Sequence, residues 1–247
     1  MSSIADNIRS VTRRIQKATK AAGRSDGSVS LLAVSKTKPA EDLREAAVAG
    51  QRAFGENYLQ EALEKIDALA DLPDVEWHFI GPIQSNKTRA IAEHFQWVHS
   101  VDRLKVARRL SEQRPVHLPP LNLCLQVNVD EEDSKSGCRL EELPELAAAI
   151  SELPGLTLRG LMAIPDPEQP ENDLRASFRA LAGALEDLKR RDNVTGPLDT
   201  LSMGMSGDLE LAIAEGATLV RVGTALFGTR NYSKGTSQGG PGSRASG

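Results

Sequence analysis

One lysine stands where the first strand-like run of the sequence ends. Lys36 follows four apolar residues and a serine in the segment LLAVSKTKP, residues 31–39. An inward-facing lysine near the mouth of a sheet is costly as a cation unless it is paired, because desolvation penalises the charged form. Desolvation also lowers the pKa of a lysine and makes its neutral amine available to attack a carbonyl group. Lys36 is therefore a candidate for covalent attachment to an aldehyde.

Small and hydroxyl-bearing residues gather at the ends of two later strand-like runs. Gly204, Ser206 and Gly207 precede a helical pattern in the segment MGMSGDLELAIAEG. Gly223 and Thr224 follow the apolar part of the segment VRVGT. Free N–H groups at a helix start, a close-approaching backbone and hydroxyl groups are features that bind anions. The two segments predict a phosphate-binding cup, with the alternative that Ser206 is only the N-cap of its helix.

Arg221 is the third candidate for chemistry. It lies two residues before Gly223, and strand side chains alternate between the two faces, so both residues face the same side. A buried guanidinium needs hydrogen-bond acceptors, and a buried salt bridge is the alternative use for it. An amine, a phosphate cup and an arginine fit a ligand with an aldehyde, a phosphate and a ring nitrogen, as in pyridoxal phosphate. A phosphosugar aldolase, which needs no ring partner, remains the alternative.

Strand-like and helical patterns alternate along the chain, and this arrangement would position the candidate groups. The strand-like runs are VSLLAVS, RAFGE, WHFIG, FQWVHSV, LNLCLQVNV, LRGLMAI, TLSMGM and TLVRVGTALFG. The helical patterns cover residues 40–49, 57–70, 84–94, 102–113, 140–152, 171–190 and 207–215. Eight strand–helix units predict a single-domain (β/α)8 TIM barrel of the α/β class, with a doubly wound open sheet as the alternative. Barrel active sites lie at the carboxyl ends of the strands, where the candidate residues stand.

The first helix of the chain precedes the barrel pattern. Ile4, Ile8, Val11 and Ile15 recur at helical spacing, so the pattern predicts an amphipathic N-terminal helix that ends near Gly23. Arginines and lysines surround this apolar stripe. Such a basic face is typical of a solvated helix surface, with contact to a membrane or to RNA as the alternative.

Composition narrows the class of protein further. The 34 acidic residues slightly outnumber the 30 basic ones, and the net charge of −4 gives no general attraction to nucleic acid or to anionic membranes. Two cysteines and four histidines show no metal-binding spacing, and Cys124 is expected to be a small buried side chain. The N-terminus lacks the apolar core of a signal peptide, and no apolar run approaches the ~20 residues of a membrane span. We expect a soluble, cytoplasmic monomer, with a barrel domain over residues 1–232 and a disordered tail rich in glycine and serine over residues 233–247.

Seven motifs, in order along the chain, resemble a known family. They are LLAVSKTKP, AFGENYLQE, WHFIGPIQSNK, VNVDEEDSKSG, GLMAIP, LSMGMSGDLELAI and VRVGTALFGTRNY. Together they span residues 31–232 and strongly resemble the YggS/PROSC family of pyridoxal phosphate homeostasis proteins. That family is similar to the barrel domain of alanine racemase without the second domain of that enzyme. One departure is mild, since Pro82 and Ile83 stand where the family usually has a leucine before the glutamine.

The resemblance implies a role for each matching residue. Lys36 would hold pyridoxal phosphate as an internal aldimine, and Arg221 would face the pyridine nitrogen. Ser206, Gly223 and Thr224 would bind the phosphate. Gly204 and Met205 would line the cup, and Asn57 and Met162 would stand near the ring. Lys135 would take part in cofactor handling.

The resemblance also implies a function without an established reaction, namely the storage, protection or delivery of pyridoxal phosphate, with apoenzymes as recipients. An amino-acid racemase that depends on pyridoxal phosphate is the alternative. An arginine does not readily keep a pyridine nitrogen protonated, so the ring is a weaker electron sink than it is beside an aspartate. Racemisation also needs an acid or base on each face of the substrate. Lys36 supplies one, and His78 or His99 could supply the other, although a structural role is more usual for such histidines.

Overall fold

The eight strands of this chain close into a parallel barrel in the computed structural model, which describes residues 3–130 and 135–228. The strands are β1 (Ser30–Val34), β2 (Ala53–Glu56), β3 (Glu76–Phe79), β4 (Trp97–Val101), β5 (Leu121–Gln126), β6 (Leu156–Met162), β7 (Thr200–Ser202) and β8 (Leu219–Val222). They are joined in chain order, and β1 pairs with β8 in the register Leu32↔Arg221. The predicted (β/α)8 barrel is therefore confirmed, and the alternative of an open sheet is wrong. The predicted tail over residues 233–247 lies outside the described residues.

Helices follow the strands along the chain. They are α1 (Ile4–Ala21), α2 (Ala40–Val48), α3 (Leu59–Ala68), α4 (Thr88–His94), α5 (Leu104–Gln113), α6 (Leu143–Ser151), α7 (Glu171–Lys189), α8 (Leu209–Ala214) and α9 (Thr224–Phe227). One continuous apolar cluster joins them to the strands, and its largest fully buried side chains include Phe54, Phe79, Phe95 and Phe178. Full burial of one such side chain contributes about 1.5–3 kcal/mol. Over the two described stretches, no helix has the length and apolar character to cross a membrane.

The N-terminal helix α1 is confirmed as an amphipathic element. It begins with a capping box, in which the Ser3 hydroxyl accepts the N–H of Asp6 and the Asp6 carboxylate accepts the N–H of Ser3. Ile8, Val11 and Ile15 are buried, and the helix contacts α2, α8 and α9. Helix α1 therefore covers the side of the barrel on which β8 meets β1.

Several strands end earlier than their sequence patterns predict, and two of them carry residues of the site. Strand β1 ends at Val34, so Lys36 stands two residues beyond it. Strand β8 ends at Val222, and the apolar run after it forms the short helix α9. Gly223 ends the extended backbone with φ −117° and ψ −71°. The prediction that this run continues as strand is wrong, because a threonine and three apolar residues suit a buried helical turn as well as a strand.

A second, smaller apolar cluster consists of Trp97, Cys124 and Met162, from β4, β5 and β6. Cys124 is fully buried, as the sequence predicts, and burial raises the pKa of its thiol to about 12. This cluster fills space on one side of the barrel with side chains that carry no charge.

Candidate functional site

A cavity of about 370 Å³ opens at the carboxyl ends of the strands. Its lining includes eight of the residues that the sequence analysis singled out, namely Lys36, Asn57, Met205, Ser206, Gly207, Arg221, Gly223 and Thr224. They come from the segments that follow β1, β2 and β7 and from β8 with the turn after it. Folding therefore brings the predicted amine, arginine and hydroxyl groups together in one place.

Lys36 lies in a sharp turn that leaves β1. The N–H of Ser35 still donates to the carbonyl of Gly55 on β2 at 3.0 Å, and the N–H of Lys38 then donates back to the carbonyl of Ser35 at 3.1 Å. Between them, Thr37 has φ +64°, which is left-handed backbone. The side chain of Lys36 is partly buried and lines the cavity.

Arg221 forms one wall of the cavity and is only 5% exposed. Its Nη1 donates to the Ser202 carbonyl at 2.6 Å and to the Ser202 hydroxyl at 2.9 Å, and its Nη2 donates to the Ala163 carbonyl at 2.9 Å. Burial lowers the pKa of Arg221 to about 10, and the charge of Asp208 opposes that change. The side chain therefore remains a cation at neutral pH.

The alternative of a buried salt bridge at Arg221 is wrong for the part of the chain that the structure describes. No carboxylate of residues 3–130 or 135–228 pairs with this guanidinium, and its observed acceptors are two carbonyls and a hydroxyl. These neutral acceptors orient the guanidinium but leave its charge unneutralised. The cavity therefore has a wall that favours a hydrogen-bond acceptor or an anion.

The loop between β7 and α8 places Ser206 in the lining of the cavity, to which Thr224 also contributes. The N-cap residue of α8 is Asp208, and its carboxylate accepts the N–H of Met205 at 2.5 Å. The alternative that Ser206 is only an N-cap is therefore wrong. Ser206 and Thr224 both line the cavity, so two hydroxyl groups are available to an anion there.

Two of the predicted glycines have different uses. A Cβ on Gly223 would lie 3.1 Å from the carbonyl of Val34, so a side chain would crowd the cavity wall. Gly204 has φ +93° and does not line the cavity, since a Cβ there would lie 2.5 Å from the Cβ of Ala212. Its carbonyl accepts the N–H of Arg221 at 2.9 Å. Gly204 thus supports β8 from behind the site.

Helix α1 holds the Ser206 loop from outside the barrel. Arg14 donates to the carbonyl of Ser206 at 3.0 Å and makes a two-point ion pair with Glu210 at 2.8 and 2.9 Å. The hydrogen bonds that Arg14 donates to Glu210 raise the pKa of Arg14, and the same bonds lower the pKa of Glu210. The N-terminal helix therefore contributes to the shape of the cup, which its basic pattern alone did not predict.

Two other predicted residues do not line the cavity. Met162 is fully buried in the cluster with Trp97 and Cys124. Lys135 donates to the carboxylate of Asp130 at 2.6 Å, in the segment after β5. Over the described residues, no group of histidine, cysteine and acidic side chains has the arrangement needed to hold a metal ion.

The sequence analysis missed the apolar part of the lining. Val34, Ile80 and Ile164 contribute carbon surface to the cavity, and Ile164 is 43% exposed. Their signal was available, since Ile80 and Ile164 each lie at the carboxyl end of a strand-like run. Such apolar walls suit the flat face of a ring.

Asn57 owes its position to a glycine that the sequence analysis did not single out. A Cβ on Gly81 would lie 2.1 Å from the carbonyl of Asn57, so only a glycine permits this close approach. The Oδ1 atom of Asn57 is buried and has no partner among the described residues. A ligand donor in the cavity would satisfy it.

His78 and His99 lie in the barrel interior and do not line the cavity. His78 Nδ1 lies 2.9 Å from His99 Nε2, and His99 Nδ1 lies 2.8 Å from the Ser202 hydroxyl. The ring of His78 stacks on Trp97 with centroids 5.2 Å apart. Burial lowers the pKa of His78 to about 3 and lowers that of His99 as well.

This chain of hydrogen bonds has a direction. Arg221 can only donate, so the Ser202 hydroxyl accepts from it, and we assign the hydroxyl proton to the contact with His99 Nδ1. His99 then donates from Nε2 to His78 Nδ1, which leaves the proton of His78 on Nε2. Both rings are neutral in this arrangement, which is a structural role and confirms the more usual interpretation of these histidines.

The family of the alanine racemase N-terminal domain matches residues 3–231 of this chain. A curated relative, the pyridoxal phosphate homeostasis protein of Pseudomonas aeruginosa, is 66% identical over 232 residues, covering 94% of this chain and 98% of the relative. The solved structure of PipY from Synechococcus elongatus with pyridoxal phosphate bound is 40% identical, with a TM-score of 0.79, covering 92% of this chain and 100% of that one.

Alanine racemase from Corynebacterium glutamicum shares the fold alone. It is 18% identical with a TM-score of 0.68, and the match covers 92% of this chain but 61% of the enzyme. The barrel, the cavity at its carboxyl end and the matches over nearly the whole length of the chain all indicate the same family. The chain belongs to the pyridoxal phosphate homeostasis protein family, which has the fold of the alanine racemase N-terminal domain.

Proposed function

We propose that this protein binds pyridoxal phosphate in the cavity at the barrel mouth and takes part in the homeostasis of that cofactor. The observation that carries the proposal is the meeting of Lys36, the hydroxyls of Ser206 and Thr224, and Arg221 in one cavity. The relative in Pseudomonas aeruginosa is named for this function, and PipY has been solved with the cofactor bound.

The residues present fit the chemical groups of the cofactor. Lys36 offers an amine for covalent attachment, and Ser206 and Thr224 offer hydroxyl donors to a phosphate. Arg221 offers a donor to a ring nitrogen, and the unpartnered Oδ1 of Asn57 offers an acceptor. When bound, pyridoxal phosphate supplies an aldehyde that reacts reversibly with amines and a ring that withdraws electrons.

The lining favours binding over catalysis. Among the described lining residues, the titratable side chains are Lys36 and Arg221. Arg221 remains a cation at neutral pH and is a poor acid, so it donates a hydrogen bond to a ring nitrogen without protonating it. His78 and His99 are neutral, buried and directed at one another, so they offer no base to this cavity. We therefore propose storage, protection and delivery as the role, with apoenzymes that need the cofactor as recipients.

The setting that we propose is the cytoplasm, with the protein as a monomer. Cys124 and Cys138 are both free and buried, and burial raises the pKa of each thiol to about 12. Such unreactive thiols suit a reducing compartment. Light scattering on the purified full chain tests the monomer, and cell fractionation tests the location.

The test of delivery is to mix the loaded protein with the apo form of an enzyme that depends on pyridoxal phosphate. The expected result is that the apoenzyme regains activity in step with loss of cofactor from this protein. No transfer, when free cofactor restores the same apoenzyme, would contradict delivery.

The test against the racemase alternative is incubation of the loaded protein with L-alanine in deuterium oxide. We expect no multiple turnovers of Cα deuteration or of D-alanine formation. NMR measures the deuteration, and chiral chromatography measures the D-alanine. Turnover above about 1 s⁻¹, the low end for ordinary enzymes, would favour the racemase.

A further inference from the structure

A group of three charged side chains, two buried and one partly exposed, lies beside the turn that carries Lys36. It consists of Glu56 at the end of β2 and of Glu61 and Lys65 on α3, and we call it the charged clamp. Lys65 Nζ donates to Glu56 Oε1 at 2.7 Å and to Glu61 Oε1. Lys65 is 5% exposed and Glu56 is fully buried. None of the three lines the cavity.

The charged clamp holds the backbone on both sides of Lys36. On one side, Lys65 Nζ donates to the carbonyl of Ser35 at 2.7 Å, and the hydroxyl of Ser35 donates to Glu56 Oε1 at 2.6 Å. On the other side, the N–H of Thr37 donates to Glu61 Oε1 at 2.5 Å. The ammonium group of Lys65 has three protons, and it donates them to the Ser35 carbonyl, to Glu56 and to Glu61.

Thr37 gives independent evidence that this turn is held in place. Its φ of +64° is left-handed backbone, which a β-branched side chain adopts only at a cost. A strained residue of this kind persists when the surrounding contacts fix it, and the observed contact on its N–H comes from Glu61. Strain at the residue next to the candidate lysine indicates that the turn serves the position of that lysine.

The burial of the charged clamp also costs stability. Burial raises the pKa of Glu56, against the opposing effect of Lys65, and Glu56 Oε2 has no partner among the described residues. Buried ion pairs often add less stability than apolar residues of the same volume. What this one does supply is a fixed geometry at Ser35 and Thr37.

We propose that Glu56, Glu61 and Lys65 are positioning residues, which hold the amine of Lys36 towards the aldehyde of pyridoxal phosphate by fixing the backbone at Ser35 and Thr37. The inference rests on the proposed function. It separates two steps, because the phosphate cup decides whether the ligand enters the cavity and the charged clamp decides how readily Lys36 attaches to it.

The experiment compares two ligands on the purified full chain freed of cofactor. Pyridoxal phosphate can attach to Lys36, and pyridoxine phosphate has the same ring and phosphate but no aldehyde. The Glu61→Ala variant should slow borohydride-trapped attachment at Lys36 about tenfold, from loss of a charged hydrogen bond. Its affinity for pyridoxine phosphate, measured by calorimetry, should not change.

Three further variants sharpen this result. Glu61→Gln keeps an acceptor oxygen and should restore most of the attachment rate. Thr37→Gly added to Glu61→Ala should recover part of it, because glycine adopts positive φ without strain. Glu64→Ala is the matched control, since Glu64 lies exposed on the same helix and contacts Gln60. It should leave both measurements unchanged.

Equal losses for the two ligands would overturn the inference and assign the charged clamp a purely structural role. An unchanged attachment rate in a folded Glu61→Ala protein, checked by circular dichroism, would overturn it as well. In that case wild-type attachment at Lys36 would still support the proposed function. A wild-type protein without any adduct at Lys36 would overturn the proposed function together with the inference.

Discussion

The two halves of the barrel are built from the same strand–helix unit but differ in what fills them. The half formed by β1, β2, β7 and β8 has strands of three to five residues and carries most of the cavity lining. The half formed by β3 to β6 includes the longest strands, β5 with six residues and β6 with seven. Its interior holds the apolar cluster of Trp97, Cys124 and Met162 and two neutral histidines. We call these the open half and the filled half.

The difference between the halves shows how a barrel accommodates charge. In the open half, the Arg221 cation is buried but contacts two carbonyls and a hydroxyl. In the filled half, His78 and His99 are buried as deeply and remain neutral. The Ser202 hydroxyl joins the two, since it contacts both Arg221 and His99. The neutral His99 of the filled half therefore supports, through Ser202, the guanidinium that the open half presents.

The largest expected effect is on the free energy of unfolding, and it comes from removing the Arg221 cation of the open half. Arg221→Met leaves the carbonyls of Ser202 and Ala163 without this donor, and we expect a loss of about 2–3 kcal/mol in the free energy of unfolding. Urea denaturation of the cofactor-free protein measures it.

The matched control for that prediction is Arg159→Met in the filled half. Arg159 lies over the Trp97 ring and pairs with Asp199 near the surface. We expect a loss of about 1 kcal/mol there. Equal losses at the two arginines would contradict the difference that we draw between the halves.

A smaller effect is expected at the phosphate cup. Ser206→Ala removes one donor to a charged group, so the affinity for pyridoxal phosphate should fall at least about tenfold. The affinity for pyridoxal, which has no phosphate, should barely change, and fluorescence titration compares the two ligands.

Ser111→Ala is the control in the filled half. The Ser111 hydroxyl lies on α5 and donates to the carbonyl of Pro154 at 2.6 Å, away from the cavity lining. This variant should alter neither affinity. A similar loss for both ligands in Ser206→Ala would mean that Ser206 shapes its loop without binding phosphate.

The smallest expected effect is a pH dependence of the free energy of unfolding that arises in the filled half. The pKa of His78 is about 3 in the folded protein and 6.5 ordinarily, so between these values the unfolded chain binds a proton that the folded chain does not. The stability from keeping this ring neutral is therefore full above pH 6.5 and falls as the pH falls. His78→Phe keeps a ring beside Trp97 and should reduce the acid slope of the unfolding free energy by about 1.4 kcal/mol per pH unit.

Urea denaturation between about pH 6 and about pH 4, where the unfolded chain carries this proton and the folded chain does not, measures that slope. The wild-type protein and the variant share their carboxylates, so the difference between their slopes reports the coupled pair of His78 and His99. The same slope in both proteins would show that His78 is protonated in the folded state.

Much of the fold and part of the site could be predicted from the sequence. Alternating patterns gave the barrel, because each buried strand and amphipathic helix has its own period. The lysine after β1 and the hydroxyls after β7 and β8 followed from the rule that barrels place chemistry at strand ends. The strand ends themselves were less accurate, since the apolar run after Gly223 suits a helical turn equally well.

Contacts between distant segments could not be predicted. The charged clamp depends on how α3 packs against the ends of β1 and β2, and nothing in the local pattern around Lys65 shows that its ammonium is buried. The same holds for Arg14, which resembles the other basic residues of α1 yet reaches the carbonyl of Ser206. Such residues take their role from tertiary packing.

The central claim is that the open half holds pyridoxal phosphate through Lys36. The most direct measurement is to load the wild-type protein, reduce it with borohydride, digest it and locate the added pyridoxyl phosphate mass by mass spectrometry. We expect the added mass on the peptide that carries Lys36, and we expect none in Lys36→Ala. An adduct on Lys38 or Lys135 instead, in the wild-type protein, would contradict the account.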